Sequence, residues 1–361
     1  MSVTRTDSSP DSPVAAQEID PVVPYPPSFI DRLMDSIQRL PVPYPLTYSL
    51  FFLLESAIIL VVSWVDGWLA PYQFDPIVLL FPLWLWGPLA FVTYLDSLSL
   101  RALSEFSPLL DAPREAKQRL EQEFTTMPPR NVLASAVGWA IIYLLFWYVA
   151  FAPYVAAYGY GVLATRTLSS LGFLSFTVGG VIYYHTYRQL RLVGRTVRMV
   201  SRFDLFALDP VYAFSVLTAR TGMCWVALIT LTLVMSPLAV GGWAELITLT
   251  LQIALAMGAF LLPLRIVNRR LVLEKRGQLA KLDQRVKATL LRLHHHVDEN
   301  TLQEVSLLNE ALKGLASERE ILGRIPTWPW RPGLFGSFIS IILLPVVLFL
   351  IQFALGRWLG S

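Results

Sequence analysis

The chain has 361 residues, of which 55% are hydrophobic and only 15% are charged. About a quarter of the residues of a soluble globular domain are charged, so this composition and a mean hydropathy of +0.53 exclude an ordinary soluble domain. Many of the eleven Trp residues stand at the ends of apolar runs, as expected for side chains that anchor at the headgroup level of a bilayer. The single cysteine, Cys224, excludes an internal disulfide.

The amino-terminal segment is polar. Residues 1–30 contain four acidic residues and no apolar segment after a basic start, so we expect no cleavable signal peptide. This composition predicts a disordered cytosolic tail.

Seven apolar segments follow, and each is long enough to cross a hydrocarbon core of ~30 Å, which needs roughly 20 helical residues. The fourth is short and rich in glycine, which predicts close helix packing at Gly172, Gly179 and Gly180. The predicted spans cover residues 46–66, 76–96, 133–155, 169–187, 222–240, 246–266 and 334–356.

The basic residues are distributed asymmetrically around these spans. Of the 29 Lys and Arg residues, 27 fall in the amino-terminal tail and in alternate connections, and the other side holds only Arg166 and Arg357. Basic residues are retained on the cytoplasmic side, so we expect the amino terminus inside and the carboxyl terminus outside. The predicted fold class is an all-α polytopic membrane protein of the plasma (inner) membrane, with seven transmembrane helices and a cytosolic helical bundle.

Transmembrane helices 1–6 occupy residues 31–267, and two cytosolic connections within this range are predicted to be helical. Residues 97–132 include a short amphipathic helix, and residues 188–221 extend the fourth and fifth spans into the cytosol. The second connection carries a basic stripe, interpreted as a face near anionic headgroups, with a dedicated phosphoinositide or nucleotide site as the alternative. The stripe consists of Arg188, Arg191, Arg195, Arg198 and Arg202.

Residues 268–324 are predicted to form a cytosolic helical hairpin. Apolar residues recur at steps of three and four, and Thr301 with Glu304 fits a capping box for the second helix. The run His294–His296 invites a metal site, but consecutive helical side chains cannot converge on one ion, so a solvated helix end is favoured.

The nine residues IPTWPWRPG, 325–333, separate the hairpin from the last span, residues 334–361. The three prolines forbid a continuous helix, and the two tryptophans are expected at the inner headgroup level. We therefore predict a stiff coupling joint, formed by Pro326, Trp328, Pro329, Trp330 and Pro332.

Polar residues within the spans supply the candidate functional positions. Glu55 is the best intramembrane ionisable group, and either ion or ligand contact or a structural pairing explains it. Asp96 and His185 are interpreted as residues at the membrane interface. One stripe of the last span predicts either helix packing or a pore lining with a leucine constriction, and consists of Ser337, Ser340, Leu344, Leu348 and Gln352.

Motifs of catalysis are lacking in the sequence: it contains no phosphate-binding glycine loop, no His-Glu-x-x-His and no nucleophile elbow. We therefore expect no enzyme activity, no cofactor and no bound metal. The basic residues follow membrane topology rather than one domain face, which argues against nucleic-acid binding.

The segment from LPLRIVNRRLVLEKR through IPTWPWRPG to the carboxyl terminus resembles uncharacterised bacterial multi-spanning membrane proteins with a Pro/Trp box before the last span. This resemblance implies no function. The seven-span architecture also resembles the insect gustatory and odorant receptors, whose last helix carries Thr-Tyr, five hydrophobic residues and Gln-Phe. Here Val347–Ile351 precede Gln352 and Phe353, but Pro345 and Val346 replace Thr-Tyr.

The receptor resemblance implies a ligand-gated cation channel, typically tetrameric, in which the last helix lines the pore. The expected function is therefore a regulated cation channel that assembles as a homo-oligomer in the lipid bilayer and responds to a small-molecule ligand. The alternatives are a small-solute transporter that uses Glu55, or a scaffold or sensor whose cytosolic bundle binds a partner.

Overall fold

The computed structural model describes residues 25–152, 159–200, 203–235, 243–299, 301–329 and 333–359, and every regular element within these ranges is helical. We number the α-helices in chain order. They are α1 (Phe29–Gln38), α2 (Tyr44–Val65), α3 (Leu80–Phe106), α4 (Arg114–Thr125), α5 (Pro129–Phe146), α6 (Val162–Arg198), α7 (Asp209–Met235), α8 (Trp243–Asp298), α9 (Leu302–Arg324) and α10 (Leu334–Leu359).

Six helical segments of the described chain are long and apolar enough to cross a membrane. The all-α class is therefore confirmed, and the segments fit a multi-pass membrane protein. They are Tyr44–Val65, Pro76–Leu109, Arg114–Val149, Val162–Arg198, Asp209–Met235 and Leu334–Leu355.

The remaining predicted span, residues 246–266, falls on the first part of α8. The side chains of residues 243–249, 251 and 252 lie outside the described structure, as do residues 153–155 and 236–240, which end the third and fifth predicted spans. The described helices thus account for six of the seven spans that the sequence predicts.

Close packing of α3 against α7 forms the centre of the bundle. Leu89 of α3 and Leu228 of α7 are at most 1% exposed. At Gly87 an added Cβ would lie 2.7 Å from Leu228 Cδ2, so a larger residue there would require the end of the leucine side chain to shift. Lipid tails are as apolar as leucine, and contacts of this kind therefore stabilise the bundle through dispersion rather than through removal of water.

Two of the glycines singled out on α6 receive aromatic side chains. A Cβ on Gly180 would collide with the Trp139 ring of α5, and one on Gly172 would lie 2.7 Å from the Tyr143 hydroxyl of α5 and 2.9 Å from Phe81 of α3. At Gly179 a Cβ would meet only the Trp84 carbonyl of α3, at 3.7 Å.

A second core lies beyond the apolar parts of the spans. Phe106 of α3, Phe124 of α4 and Phe214 of α7 are completely buried, and the rings of Phe106 and Phe214 are 4.6 Å apart. The short helix α4 has a polar outer face and contributes Leu120 and Phe124 to this core. Outside the hydrocarbon layer, burial of such side chains contributes about 1.5–3 kcal/mol each.

The hairpin of α8 and α9 projects from this second core. The 56 residues of α8 form a helix about 84 Å long, far more than a bilayer core of ~30 Å requires. Leu282 of α8 and Leu322 of α9 are buried in the hairpin, and Arg319 Nε donates to Asp283 Oδ1 at 3.0 Å. Residues 268–324 are named the arm below.

The capping box predicted at Thr301 is not formed. Its hydroxyl donates to the His296 carbonyl at 3.1 Å and makes no cap bond to α9. The backbone N–H of Thr301 donates to the same His296 carbonyl at 3.1 Å, so the threonine closes the end of α8 rather than capping α9.

Candidate functional site

A buried polar cluster joins α3 to α6. The His185 imidazole is completely buried, and its Nε2 lies 2.9 Å from Asp96 Oδ1. Gln189, one turn further along α6, donates from Nε2 to the same carboxylate oxygen at 2.5 Å and to the Phe124 carbonyl at 2.9 Å. Asp96, His185 and Gln189 are named the polar cluster. Because Phe124 belongs to α4, the cluster holds three helices together.

The sequence interpretation of Asp96 and His185 as interface residues is wrong. Asp96 is only 9% exposed and His185 is not exposed at all. A buried carboxylate costs several kcal/mol unless hydrogen bonds compensate for its lost water, and His185 and Gln189 supply those bonds. The spacing of four residues between His185 and Gln189 indicates a shared polar face, but Asp96 of α3 lies 89 and 93 residues from them and has no local signature.

Arg188 attaches the segment before α1 to the same region. Its guanidinium donates to the Thr126 carbonyl at 2.7 Å and to the Tyr25 hydroxyl. Burial raises the pKa of the Tyr25 phenol, and the nearby Arg188 charge opposes that shift only in part. Residues 25–30 are thus packed against the fold, whereas the sequence places them in the disordered tail. Residues 1–24 lie outside the described structure.

The amino-terminal end of α1 is fixed by a capping box. The Asp31 carboxylate accepts from the Ser28 amide at 2.7 Å and from the Met127 amide at 3.0 Å. One side chain therefore closes α1 and also anchors it beside the turn that precedes α5.

Where α8 leaves the bundle, its side chains cap the ends of two other helices. Arg270 donates from one guanidinium nitrogen to the carbonyls of Arg198 and Val200 at 3.2 and 2.9 Å, where α6 ends. A cation at the carboxyl end of a helix satisfies free carbonyls and interacts favourably with the helix dipole. Arg270 thus fastens the end of α6 to α8.

Two neighbours of Arg270 hold the end of α9. Lys275 Nζ donates to the carbonyls of Gly323 and Ile325 at 2.7 and 2.8 Å, and Asn268 Nδ2 donates to the Thr327 carbonyl at 3.1 Å. Asn268, Arg270 and Lys275 are named the collar. They connect α8, α6 and the start of the joint, residues 325–333.

The joint separates α9, which ends at Arg324, from α10, which begins at Leu334. Pro326, Trp328 and Pro329 lie in non-helical chain, and Trp328 is 43% exposed. Trp330 and Pro332 lie outside the described structure. The break in the helix thus occurs where the prolines predict it.

Glu55 is buried between α2 and α3. Its Oε2 accepts from Trp86 Nε1 at 2.6 Å, and within the described chain its Oε1 has no hydrogen-bond partner. The described structural partner of Glu55 is therefore the indole of Trp86.

The polar stripe of α10 divides into two parts. The hydroxyls of Ser337 and Ser340 donate to the carbonyls of the preceding turn of their own helix, and both residues and Leu344 are exposed. Leu348 is half-buried, and Gln352 Nε2 donates to the Leu233 carbonyl of α7 at 3.2 Å. The stripe therefore starts on an open face and ends against α7.

The histidine run lies at the end of α8. His296 Nδ1 lies 3.1 Å from the Thr301 hydroxyl, and His295 Nε2 lies 3.2 Å from Glu299 Oε1. Within the described residues, no group of three or more His, Cys, Asp or Glu side chains converges to hold a metal ion.

The polar cluster provides a test of stability. Replacing Asp96 by Ala leaves the buried His185 without its described partner and leaves Gln189 with only the Phe124 carbonyl, which we expect to lower the free energy of unfolding by roughly 2–4 kcal/mol. Cys224, the only cysteine and a partly buried one, reports unfolding in detergent through its reaction with a thiol-sensitive dye. The matched control is Glu105→Ala, on an exposed position of α3. Equal unfolding midpoints for the two variants would show that the cluster does not stabilise the fold.

The comparisons with known proteins assign the chain to no family. No protein-family model matches it, and neither a curated protein nor a solved structure matches it.

Proposed function

We propose that the chain is a seven-span protein of the plasma (inner) membrane with its amino terminus and its arm in the cytosol. The six candidate spans and the position of α8 support this topology. The retention of 27 of 29 Lys and Arg residues on one side supports the orientation.

Cysteine labelling tests this orientation. In a Cys224→Ala chain, an impermeant maleimide applied to intact cells should react with Ala70→Cys, which lies between α2 and α3. It should react with Ser104→Cys, at the far end of α3, only after the membrane is permeabilised. Both positions are exposed. The opposite labelling pattern would invert the topology, and equal labelling would exclude α3 as a span.

We further propose that the protein couples the position of its cytosolic arm to its last span. One observation carries this proposal: the collar fastens the arm to the end of α6 and to the start of the joint that leads into α10. Because α8 is one continuous helix, a tilt of the arm acts on its membrane end without an intervening loop. A cytosolic ligand or partner that binds the arm would thereby act on the spans.

Lys275 is the contact whose loss should release the arm. Lys275→Met keeps the length of the side chain but removes two hydrogen bonds to carbonyls, which stabilise the contact by roughly 1–3 kcal/mol. Spin labels at Lys287→Cys on the arm and Ser104→Cys on α3, in the Cys224→Ala chain, would measure the distance between them. We expect a broader distance distribution for Lys275→Met.

Lys281→Met is the matched control, because Lys281 is an exposed lysine on the same helix. Its distance distribution should equal that of the parent chain. If Lys275→Met also leaves the distribution unchanged, the collar does not hold the arm and the coupling proposal fails.

As a second proposal, the protein is a regulated cation channel. It would assemble as a homo-oligomer with α10 at the pore, and the arm would regulate the channel. The exposed face with Ser337, Ser340 and Leu344 favours it, since a neighbouring copy or a pore would cover that face. α10 packs against α7 and, through Phe338, against Phe260 of α8, and this packing leaves the face with the two serines open.

Ion flux into liposomes that contain the purified protein tests the channel. We expect a cation flux that Gln352→Leu changes severalfold, because the substitution removes the amide that contacts the Leu233 carbonyl. Ile351→Leu, at an exposed neighbouring position, should leave the flux unchanged. A monomer in nanodiscs without flux would exclude the channel but not the coupling of the arm.

A further inference from the structure

A groove runs along the bundle between α6, α7 and α8. Its cavity volume is about 550 Å³, within the range of roughly 300–1,000 Å³ found for small-molecule sites. The wall from α6 extends from Tyr183 to Arg198, about 22 Å at 1.5 Å per residue. Trp225 and Ile229 of α7 form the inner end. The end of the groove at Trp225 and Ile229 falls within the predicted spans, whereas Arg191 and Arg198 fall in the predicted extension of α6 beyond residue 187.

The groove opens sideways along α8. Leu255 and Leu262 form its rim and are 59% and 66% exposed, which is the exposure of side chains that face lipid tails in a membrane helix. Gly258 lies between them on the groove wall, and a Cβ built there would meet only Leu262 Cδ1, at 3.8 Å. A long apolar chain could therefore enter from the bilayer without passing through water.

Four members of the basic stripe lie on α6 and divide into two pairs with different surroundings, and the fifth, Arg202, lies outside the described residues. Arg188 and Arg195 face α4, where Arg188 donates to the Thr126 carbonyl and Arg195 pairs with Glu123 at 3.1 Å. Arg191 and Arg198 instead line the groove. Within the described chain, the guanidinium groups of Arg191 and Arg198 have neither a carboxylate nor a hydrogen-bonding partner. These two cations are therefore free to bind an anion at the mouth of the groove.

Two features of the lining define the ligand. A small soluble anion would fill only a small part of the cavity, and most of the apolar wall would lack a contact. A neutral lipid would fill the cavity but would leave both guanidinium groups unpaired. Arginine binds phosphate through planar, charge-assisted hydrogen bonds. Thr186, on the same wall, is 5% exposed, and among the described residues its hydroxyl has no hydrogen-bond partner. An ester oxygen close to the phosphate would supply that partner.

We propose that the groove binds one anionic phospholipid from the inner leaflet. The phosphate lies between Arg191 and Arg198, and an acyl chain follows α6 toward Trp225. This site is distinct from general attraction of a basic surface to anionic headgroups, because it requires the apolar cavity as well as the charges. It does not depend on the coupling of the arm or on a channel.

Competition between two lipids tests the site. The full chain is extracted in mild detergent from vesicles that contain equal amounts of phosphatidylglycerol and phosphatidylcholine with the same acyl chains, and the retained lipids are quantified. The parent chain should retain about one phosphatidylglycerol, in preference to phosphatidylcholine. Arg191→Gln with Arg198→Gln should lower that retention roughly tenfold. Arg101→Gln with Arg195→Gln removes the same charge outside the groove and should retain the lipid.

A second pair of variants tests the cavity without changing charge. Gly258→Leu places a side chain in the free space of the groove and should also displace the phospholipid. Gly138→Leu is its control, because a Cβ at Gly138 has no atom within 4 Å and faces away from the groove. All four variants should keep the parent unfolding midpoint, measured through Cys224.

The outcomes separate the explanations. If the Arg191 and Arg198 variant loses the lipid while Gly258→Leu retains it, only headgroup attraction operates and the groove site is refuted. If both double arginine variants lose the lipid equally, total charge decides binding and the site is also refuted. Displacement by an excess of water-soluble glycerol phosphate would point to a soluble anion instead of a lipid, and would overturn the proposal.

Discussion

Free carbonyl groups at the ends of α6 and α9 are the constraint on which the position of the arm depends. A helix end leaves its last carbonyls without intrahelical donors, so they bond to water or to side chains of neighbouring helices. Here α8 supplies the donors for both ends, through Arg270 at α6 and Lys275 at α9. These hydrogen bonds therefore also fix the positions of α6 and α9 relative to α8. A movement of α8 must either carry the ends of α6 and α9 with it or break the bonds.

The polar cluster solves a related problem within the bundle. Asp96 is buried between α3 and α6, where an ionised carboxylate without partners would be severely destabilising. The bonds from His185 and Gln189 compensate for that cost, and the second bond of Gln189 to the Phe124 carbonyl brings α4 into contact with the spans. A short polar helix such as α4 has little apolar surface of its own. Its position thus depends on a few directed contacts and on the burial of Leu120 and Phe124.

The sequence predicts whatever depends on local pattern. Apolar runs of about 20 residues predict the spans, and prolines predict the break before Leu334, because both signals act within one segment. Pairing across the chain has no such signal. The contact of Asp96 with His185, the indole bond of Glu55 and the collar each join residues that are far apart, and only the packing of helices brings them together. The basic stripe illustrates the difference between local and long-range signals. Its spacing predicts a single helix face, whereas its described members divide between contacts with α4 and the groove.

The groove and the collar share the helix α8, and this has a thermodynamic consequence. Residues 254–266 form a wall of the groove, and Asn268 and Arg270 begin the collar within one turn of that wall. A ligand shifts a conformational equilibrium only by its difference in affinity for the two conformations. If the arm tilts α8, the width of the groove changes, and the affinity for lipid must change with it. Linkage then requires the converse effect. The bound lipid must favour one position of the arm by the same free energy by which that position strengthens the binding of the lipid. The lipid in the groove and the occupancy of the arm would then act on a single element, the helix α8.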